Sequence, residues 1–129
     1  MNGSYLLDTN IVIALFANDP AILTRLAVAP QVFIPSIVLG ELYYGACKSF
    51  HSKTNIAKID NFVRNSAVLD CDAETSRHYG HIKEHLRVKG KPIPENDIWI
   101  AALARQHGAN LVTRDQHFEN IMDIRLEQW

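Results

Sequence analysis

Apolar residues along this chain fall into two rhythms. Short apolar runs, each stopped by a polar or turn-forming residue, alternate with longer stretches in which apolar positions recur every three or four residues. The first rhythm marks buried strands and the second marks helices packed along one side. Tyr5-Leu6-Leu7 is the first strand-like run, closed by Asp8-Thr9-Asn10. The apolar stretch 11–16 then reads as a buried helix, with the short oxygens of Thr9 or Asn10 as its cap, or Asp8 itself as a plain turn or capping residue. Asp19-Pro20 opens a second helix over 21–29, with Ile22, Leu23, Leu26 and Ala29 on one side. Residues 31–34 form a strand stopped by Pro35, and Ser36 reads as the N-cap of a helix from 37 to about 48. A further helix covers about 53–64, with Ile56, Ile59, Phe62 and Val63 on its inner face.

Ala67-Val68-Leu69 is a strand, and a helix follows from about 73 to 88. Residues 90–94 form a loop, since Pro92 and Pro94 lack an N–H and oppose helix at the residue before them. Glu95 or Asn96 starts the next helix, which runs from Asp97 to about His107 and ends at Gly108. Leu111-Val112-Thr113 is a strand that runs into Arg114-Asp115; a short helical turn over 116–119 and a last strand over 124–126 complete the pattern. Strands alternating with helices predict one α/β domain over residues 1–129, with a mainly parallel sheet of about four to five strands and helices on both faces. The helical stretch 36–65 is expected to form a pair standing partly outside the sheet. Asp8 then sits at a strand's carboxyl end, the edge where open parallel sheets bind ligands.

Composition narrows the setting. The 129 residues are 47% hydrophobic and 21% charged, as in an ordinary globular domain. No apolar run approaches the roughly 20 residues of a membrane span, so no membrane role is expected. The N-terminus lacks a basic segment, and Asp8 interrupts its first apolar run, which argues against a secretory signal. Cys47 and Cys71 are far apart and make no metal-type or redox-type spacing, so a cytoplasmic protein with free thiols is expected. The net charge of −1 means that any polyanion must be met by a local patch. Residues 83–91 offer one, with Lys83, Arg87, Lys89 and Lys91 against Glu84, unless the run is simply a solvated helix end.

Chemistry enters through acids in apolar places. Glu41 lies mid-helix with Ile37, Val38, Tyr44 and Gly45 on its face and no local cation. A carboxylate in such company neutralises, finds a distant arginine or binds a metal. Asp97 begins a helix that is apolar all round from Ile98 to Ala104; a first-turn charge favoured by the helix dipole is the alternative there. Asp115 mirrors Asp8 at another strand's carboxyl end. In a doubly wound sheet Asp8 and Asp115 open onto one edge, and Glu41 and Asp97 can reach the same crevice. Carboxylates about 5 Å apart repel by roughly 3 kcal/mol per pair at an effective dielectric of 20, so such a cluster needs cations between its oxygens. Hard oxygen donors suit Mg²⁺ or Mn²⁺, and phosphodiester hydrolysis or phosphoryl transfer is the chemistry such sites support.

The same residues resemble the ordered motifs of PIN domains, and more closely those of VapC toxins from bacterial and archaeal toxin–antitoxin pairs. The resemblance runs through Leu6-Leu7-Asp8-Thr9-Asn10, Ser36 to Gly45, Asn96 to Ala102 and Thr113-Arg114-Asp115. It implies a PIN-like α/β/α sandwich and a Mg²⁺- or Mn²⁺-dependent endoribonuclease with Asp8, Glu41, Asp97 and Asp115 as its acids. It implies Asp8 and Asp97 as direct metal ligands, Glu41 and Asp115 completing the cluster, and Thr9 and Thr113 as supporting hydroxyls. It also implies an RNA substrate, a homodimer, and a VapB-type antitoxin whose C-terminal segment covers the site.

Other residues carry weaker signals. Lys83, Arg87, Lys89, Lys91 and Arg114 are candidate RNA-backbone contacts, with solvated surface as the alternative. His78, His81 and His85 share a helix, but one helix cannot enclose zinc, and an exposed or partly basic face is expected. Tyr43, Tyr44 and Trp99 could stack on bases, although packing in the core or in a dimer is expected. Two competing functions remain: a phosphatase or phosphoacceptor, which wants paired acids near one strand end and a lysine near a later one, and a non-catalytic binding module. Helix-borne acids disfavour the first, and four acids in unfavourable settings disfavour the second.

Overall fold

Short, mostly apolar runs are enough for the central strands, because both faces of these strands are covered. The computed structural model describes residues 3–129, so the first two residues of the expected domain lie outside the described range. The chain runs β1 (Ser4–Leu7), α1 (Thr9–Phe16), α2 (Pro20–Val28), β2 (Gln31–Pro35), α3 (Ser36–Cys47), α4 (Ser52–Arg64), β3 (Ala67–Leu69), α5 (Ala73–Lys89), α6 (Glu95–His107), β4 (Asn110–Val112), a 3-10 turn (Gln116–Asn120) and β5 (Arg125–Glu127). The strands form one sheet in the order β3-β2-β1-β4-β5, and every pairing is parallel. The expected α/β architecture is therefore present, and the sheet is wholly parallel.

The strand order explains where a site can form. The chain lays β2 and β3 to one side of β1, then crosses back to place β4 and β5 on the other. Right-handed crossovers then put α1 to α4 on one face and α5 and α6 on the other. The direction reverses between β1 and β4, so a crevice opens there at the strands' carboxyl ends. Leu6 and Leu7 of β1 and Leu111 and Val112 of β4 are buried beneath it. The backbone continues the ladder one residue beyond each strand: Asp8 N–H donates to Val112 O (3.0 Å), and Thr113 N–H donates to Glu127 O (3.0 Å). The floor of the crevice is thus fixed by sheet hydrogen bonds.

Helix ends supply the other fixed points. Asp8, not Thr9 or Asn10, caps α1: its Oδ1 accepts from the Thr9 N–H at 2.8 Å, and Thr9 is already helical. The helix α3 starts at Ser36 straight after Pro35, whose restricted φ of −64° leads into the helix without any side-chain cap. Ser36 is thus the first helical residue and not the cap. The glycines Gly90 and Gly108 end α5 and α6 with φ of 70° and 61°, the left-handed conformation that costs glycine least. The last strand lies one residue later than its apolar pattern suggested, because it pairs with β4 through Arg125 opposite Asn110.

The pair α3 and α4 packs as expected, with the Tyr43 hydroxyl donating to Asp60 Oδ1 at 2.6 Å, and α4 buries Ile59 alone of its residues. Cys47 and Cys71 are free thiols. No single helix among the described residues is long and apolar enough to cross a membrane.

Candidate active site

One hydroxyl ties the two central strands together at the crevice. Asp8 leaves β1 almost fully buried, at 4% exposure. Its Oδ1 accepts from the Thr9 N–H and its Oδ2 accepts from the Thr113 hydroxyl at 2.7 Å. The same Thr113 oxygen accepts the Asp115 N–H at 3.0 Å. A single threonine after β4 therefore holds both the acid after β1 and the turn that carries the next acid. Asp115 then caps the 3-10 turn, taking the His117 N–H on Oδ1 at 2.9 Å.

Helices bring the other two acids. Glu41 sits in the second turn of α3, partly buried, and its Oε1 accepts from the Thr9 hydroxyl at 2.7 Å. Thr9 thus bridges α1 and α3 as Thr113 bridges β1 and β4. Asp97 is the third residue of α6, where Ile98 and the run from Ile100 to Ala104 are buried, so the whole helix is held against the sheet. The Asp97 side chain is only 13% exposed, and no donor among the described residues satisfies it at hydrogen-bond distance. His117 Nδ1 lies 3.7 Å from its Oδ2.

These placements perturb the acids. Burial pushes Asp8 above the ordinary aspartate range, against the lowering effect of its bonds from Thr113 and Thr9; Glu41 and Asp115 add repulsion. Asp97 is pushed up to about 6, first by burial, then by the charges of Asp8, Asp115 and Glu41, with His117 opposing. Two acids raised by desolvation and mutual repulsion at one sheet edge describe a site short of positive charge.

A divalent cation would supply that charge, and the residues fit one. Ligand atoms of Asp97, Asp115 and His117 lie within 4.8 Å of one another. They face an open crevice of about 460 Å³, which Glu41, Asn96 and Asp97 line together with Asp115 and His117. Carboxylate oxygens predominate, as Mg²⁺ and Mn²⁺ prefer.

His117 escaped the sequence reading. Its ring Nδ1 stands 3.1 Å from Asp115 Oδ1, and its only sequence signal is a position two residues beyond that acid. The histidines on α5 form no such group among the described residues. His78 Nδ1 accepts from Arg105 Nε at 2.8 Å instead.

The candidate RNA-contact cations have the following partners. Lys83 pairs with Glu95 and Tyr79. Arg87 makes a two-pronged bond to Glu84 at 2.8 and 2.7 Å. Lys89 donates to Asn120 O at 3.2 Å, and Lys91 is exposed with no partner among the described residues. Arg114 reaches Trp129 O and Asp19 Oδ2, both at 3.0 Å, and holds that aspartate below its ordinary range. Two of the four cations in residues 83–91, Lys83 and Arg87, are thus paired with acids. Of the aromatic residues, Tyr43 is bonded to Asp60, Trp99 stacks on Tyr79 at 4.1 Å, and Tyr44 is 66% exposed.

Known proteins share this arrangement. The PIN domain family matches residues 5–123. Ribonuclease VapC2 of Haemophilus influenzae is 43% identical over 97% of both chains. The tRNA(fMet)-specific endonuclease VapC of Shigella flexneri is 38% identical over 97% of both chains. The structure of DNA-bound VapBC from Salmonella typhimurium superposes with a TM-score of 0.92 at 35% identity, covering 100% of this chain and 99% of that one. With the acids of two strand ends and two helices meeting at one switch point, and with relatives of this identity along its length, the chain belongs to the PIN-domain family, in its VapC group.

Proposed function

We propose that the chain is a Mg²⁺- or Mn²⁺-dependent endoribonuclease, the toxin of a VapBC-type pair, acting as one PIN domain over residues 1–129. The observation that carries this is Asp97. It is an acid with no donor, held on a buried helix beside three others, and pushed up to about 6. Asp8, Asp97, Asp115 and Glu41 would hold the ion, with His117 beside them. Bound there, a divalent ion supplies charge to a scissile phosphate and acidifies the attacking water.

The chain's own groups have separable tasks. Thr113 and the Thr9 N–H fix both oxygens of Asp8, so that carboxylate keeps one orientation. Asp97 lacks such donors and is free to turn toward a cation. Glu41 has one oxygen committed to Thr9 and the other without a protein donor; that second oxygen can orient an attacking water or take its proton.

Relatives direct the choice of substrate and partner. The Shigella flexneri relative is named for tRNA(fMet), so initiator tRNA is the first RNA to test. The solved Salmonella typhimurium relative is a VapBC assembly, which supports a VapB-type antitoxin as partner. A homodimer and a cytoplasmic setting complete the proposal. No observation favours a phosphoacceptor: the residue after Thr113 is Arg114, whose guanidinium is turned to Asp19 and Trp129.

The test is cleavage of initiator tRNA and of mixed RNA by purified protein with Mg²⁺ or Mn²⁺, with EDTA, and beside Asp8→Asn. Cutting that needs the metal and is lost in the variant is expected. Cutting that survives in EDTA, or in Asp8→Asn, contradicts the proposal.

A further inference from the structure

Four carboxylates at one edge repel any polyanion that approaches, so cations must flank the crevice. The net charge of −1 gives no general attraction, and in residues 83–91 Lys83 and Arg87 are paired with Glu95 and Glu84, which leaves Lys89 and Lys91. The α3–α4 hairpin differs. Beyond Glu41 it carries Lys48, Lys53, Lys58 and Arg64 against Asp60 alone. Asp60 is already engaged by the Tyr43 hydroxyl. Lys48 and Lys58 stand over aromatic rings, 4.7 Å from the Tyr44 centroid and 4.9 Å from the Phe16 centroid, and not against acids. Lys53 is exposed at the start of α4.

The turn between the helices is built, and it presents an aromatic residue to solvent. The Ser49 hydroxyl donates to Ala46 O at 2.7 Å and accepts from Asn55 Nδ2 at 2.9 Å. On that fixed turn Phe50 is 95% exposed, its ring edge-on to His51 at 4.9 Å. With Tyr44 at 66%, two large rings face water within a cationic stretch. Lys58 Nζ also donates to Phe16 O at 3.3 Å, but none of these lysines faces an acid among the described residues. Lysines without acid partners, interleaved with exposed rings, are the composition that grips single-stranded nucleic acid, by phosphate neutralisation and base stacking.

Position ties this surface to the site. At 1.5 Å per residue, Lys48 lies about 10 Å along α3 from Glu41, roughly one Debye length at physiological salt. A groove of about 300 Å³ is lined by Thr9 and Glu41 of the site together with Asn55 and Lys58 of α4. We infer that the α3–α4 hairpin is the RNA-gripping arm of this enzyme: Lys48, Lys53 and Lys58 bind phosphates flanking the scissile bond, and Tyr44 and Phe50 stack on unpaired bases. The inference rests on the ribonuclease reading above and names where that substrate is held.

The test compares the wild type with Lys48→Ala/Lys53→Ala, Phe50→Ala, the conservative Lys48→Arg/Lys53→Arg, and Lys83→Ala/Arg87→Ala. Binding of fluorescein-labelled tRNA is followed by anisotropy in EDTA across a salt series. Cleavage kinetics with Mn²⁺ and oligomeric state by light scattering are measured in parallel. The double alanine variant should bind roughly tenfold more weakly, with a log–log salt slope shallower by about one to two, since each lost phosphate contact removes about 0.7–0.9. Phe50→Ala should weaken binding by about 5- to 100-fold, the range of one lost stacking contact. KM should rise while kcat stays within about twofold; the arginine variant should bind as wild type, and the 83/87 variant should change little. Unchanged affinity and salt slope in the hairpin variants overturn the arm while leaving metal-dependent cutting intact. A change in oligomeric state with RNA affinity unchanged also overturns it, and assigns the face to a second copy of the chain. If no metal supports cutting by the wild type, the ribonuclease reading fails, and the anisotropy comparison still decides the arm.

Discussion

Asp8 and Asp97 are the same chemical group at the same crevice, prepared in opposite ways. Asp8 leaves a central strand and has both oxygens satisfied, by the Thr9 N–H and the Thr113 hydroxyl. Asp97 stands in the first turn of α6 with no donor at hydrogen-bond distance. Burial raises both, but only Asp97 is pushed as far as about 6. The sheet edge therefore supplies the fixed half of the site, and the helix supplies the half whose charge is uncompensated until a cation arrives. Such sites trade stability for function, since the group that binds most strongly is the one the apo-protein tolerates least.

The sharpest break of this contrast is Asp97→Asn. It should lower RNA cleavage by more than the 10- to 100-fold typical of residues that only support a metal ligand. Yet it should stabilise the metal-free protein near neutral pH. For an acid whose folded value lies above its unfolded one, the stabilising contribution is complete below the unfolded value and lost as pH rises through the folded one. For Asp97 that window runs from 3.8 to about 6. At about 1.36 kcal/mol per pKa unit, roughly 3 kcal/mol is at stake by pH 7.5. Asp8 shifts in the same direction, while His78, depressed by burial and by Arg105, shifts stability the other way. Denaturant melts in EDTA at pH 5, 6 and 7.5 should therefore show a gap between Asp97→Asn and wild type that widens as pH rises. A constant gap would remove the contrast.

Thr113→Val attacks the fixed half. It deprives buried Asp8 of a donor and the Asp115 N–H of its acceptor, so a loss of about 1–3 kcal/mol in stability is expected. Cleavage should fall by about 10- to 100-fold, with recovery in Thr113→Ser. Thr9→Val, at a more open position, should leave stability nearly unchanged and lower kcat more than it raises KM, because it frees Glu41. Equal losses for the valine and serine variants at Thr113 would show that packing, not the hydroxyl, matters there.

The smallest effect belongs to His117, whose ring is 56% exposed. His117→Ala should cost a few-fold in activity, and more with Mn²⁺ than with Mg²⁺, since imidazole suits Mn²⁺ better than Mg²⁺. Equal losses with the two ions, read from kcat/KM, would leave His117 as a partner of Asp115 alone.

The chain's sequence revealed these regions unevenly. Acids after two short apolar runs were readable as neighbours, because parallel strands bring their carboxyl ends to one edge. Glu41 and Asp97 drew attention through apolar neighbours on their own helices, a local signal. The threonine links were hidden: Thr113 and Asp8 are separated by 105 positions, and Thr9 and Glu41 by 32. The cap of α1 stays open in the sequence between Asp8 and Thr9 or Asn10, because Asp8 does two jobs, closing the strand and starting α1. Charge pairing is the least local of these features. The bond from Arg87 to Glu84 follows from an i,i+3 spacing, but Glu95 neutralises Lys83 from the far side of a proline loop. Counting lysines along the chain singles out residues 83–91, but the fold shows that Lys83 and Arg87 there face acids while Lys48, Lys53 and Lys58 on the hairpin do not.

The most direct test of the central claim, that these acids together form a divalent-cation site, is the melting midpoint of wild type and Asp97→Asn at pH 7.5, in EDTA and then in saturating Mn²⁺. Without metal, the variant should melt higher. With Mn²⁺ the wild type should rise and the variant should not, so that the difference closes or reverses. A wild-type midpoint that does not move with Mn²⁺ or Mg²⁺, or a variant that gains as much as wild type, would contradict the account.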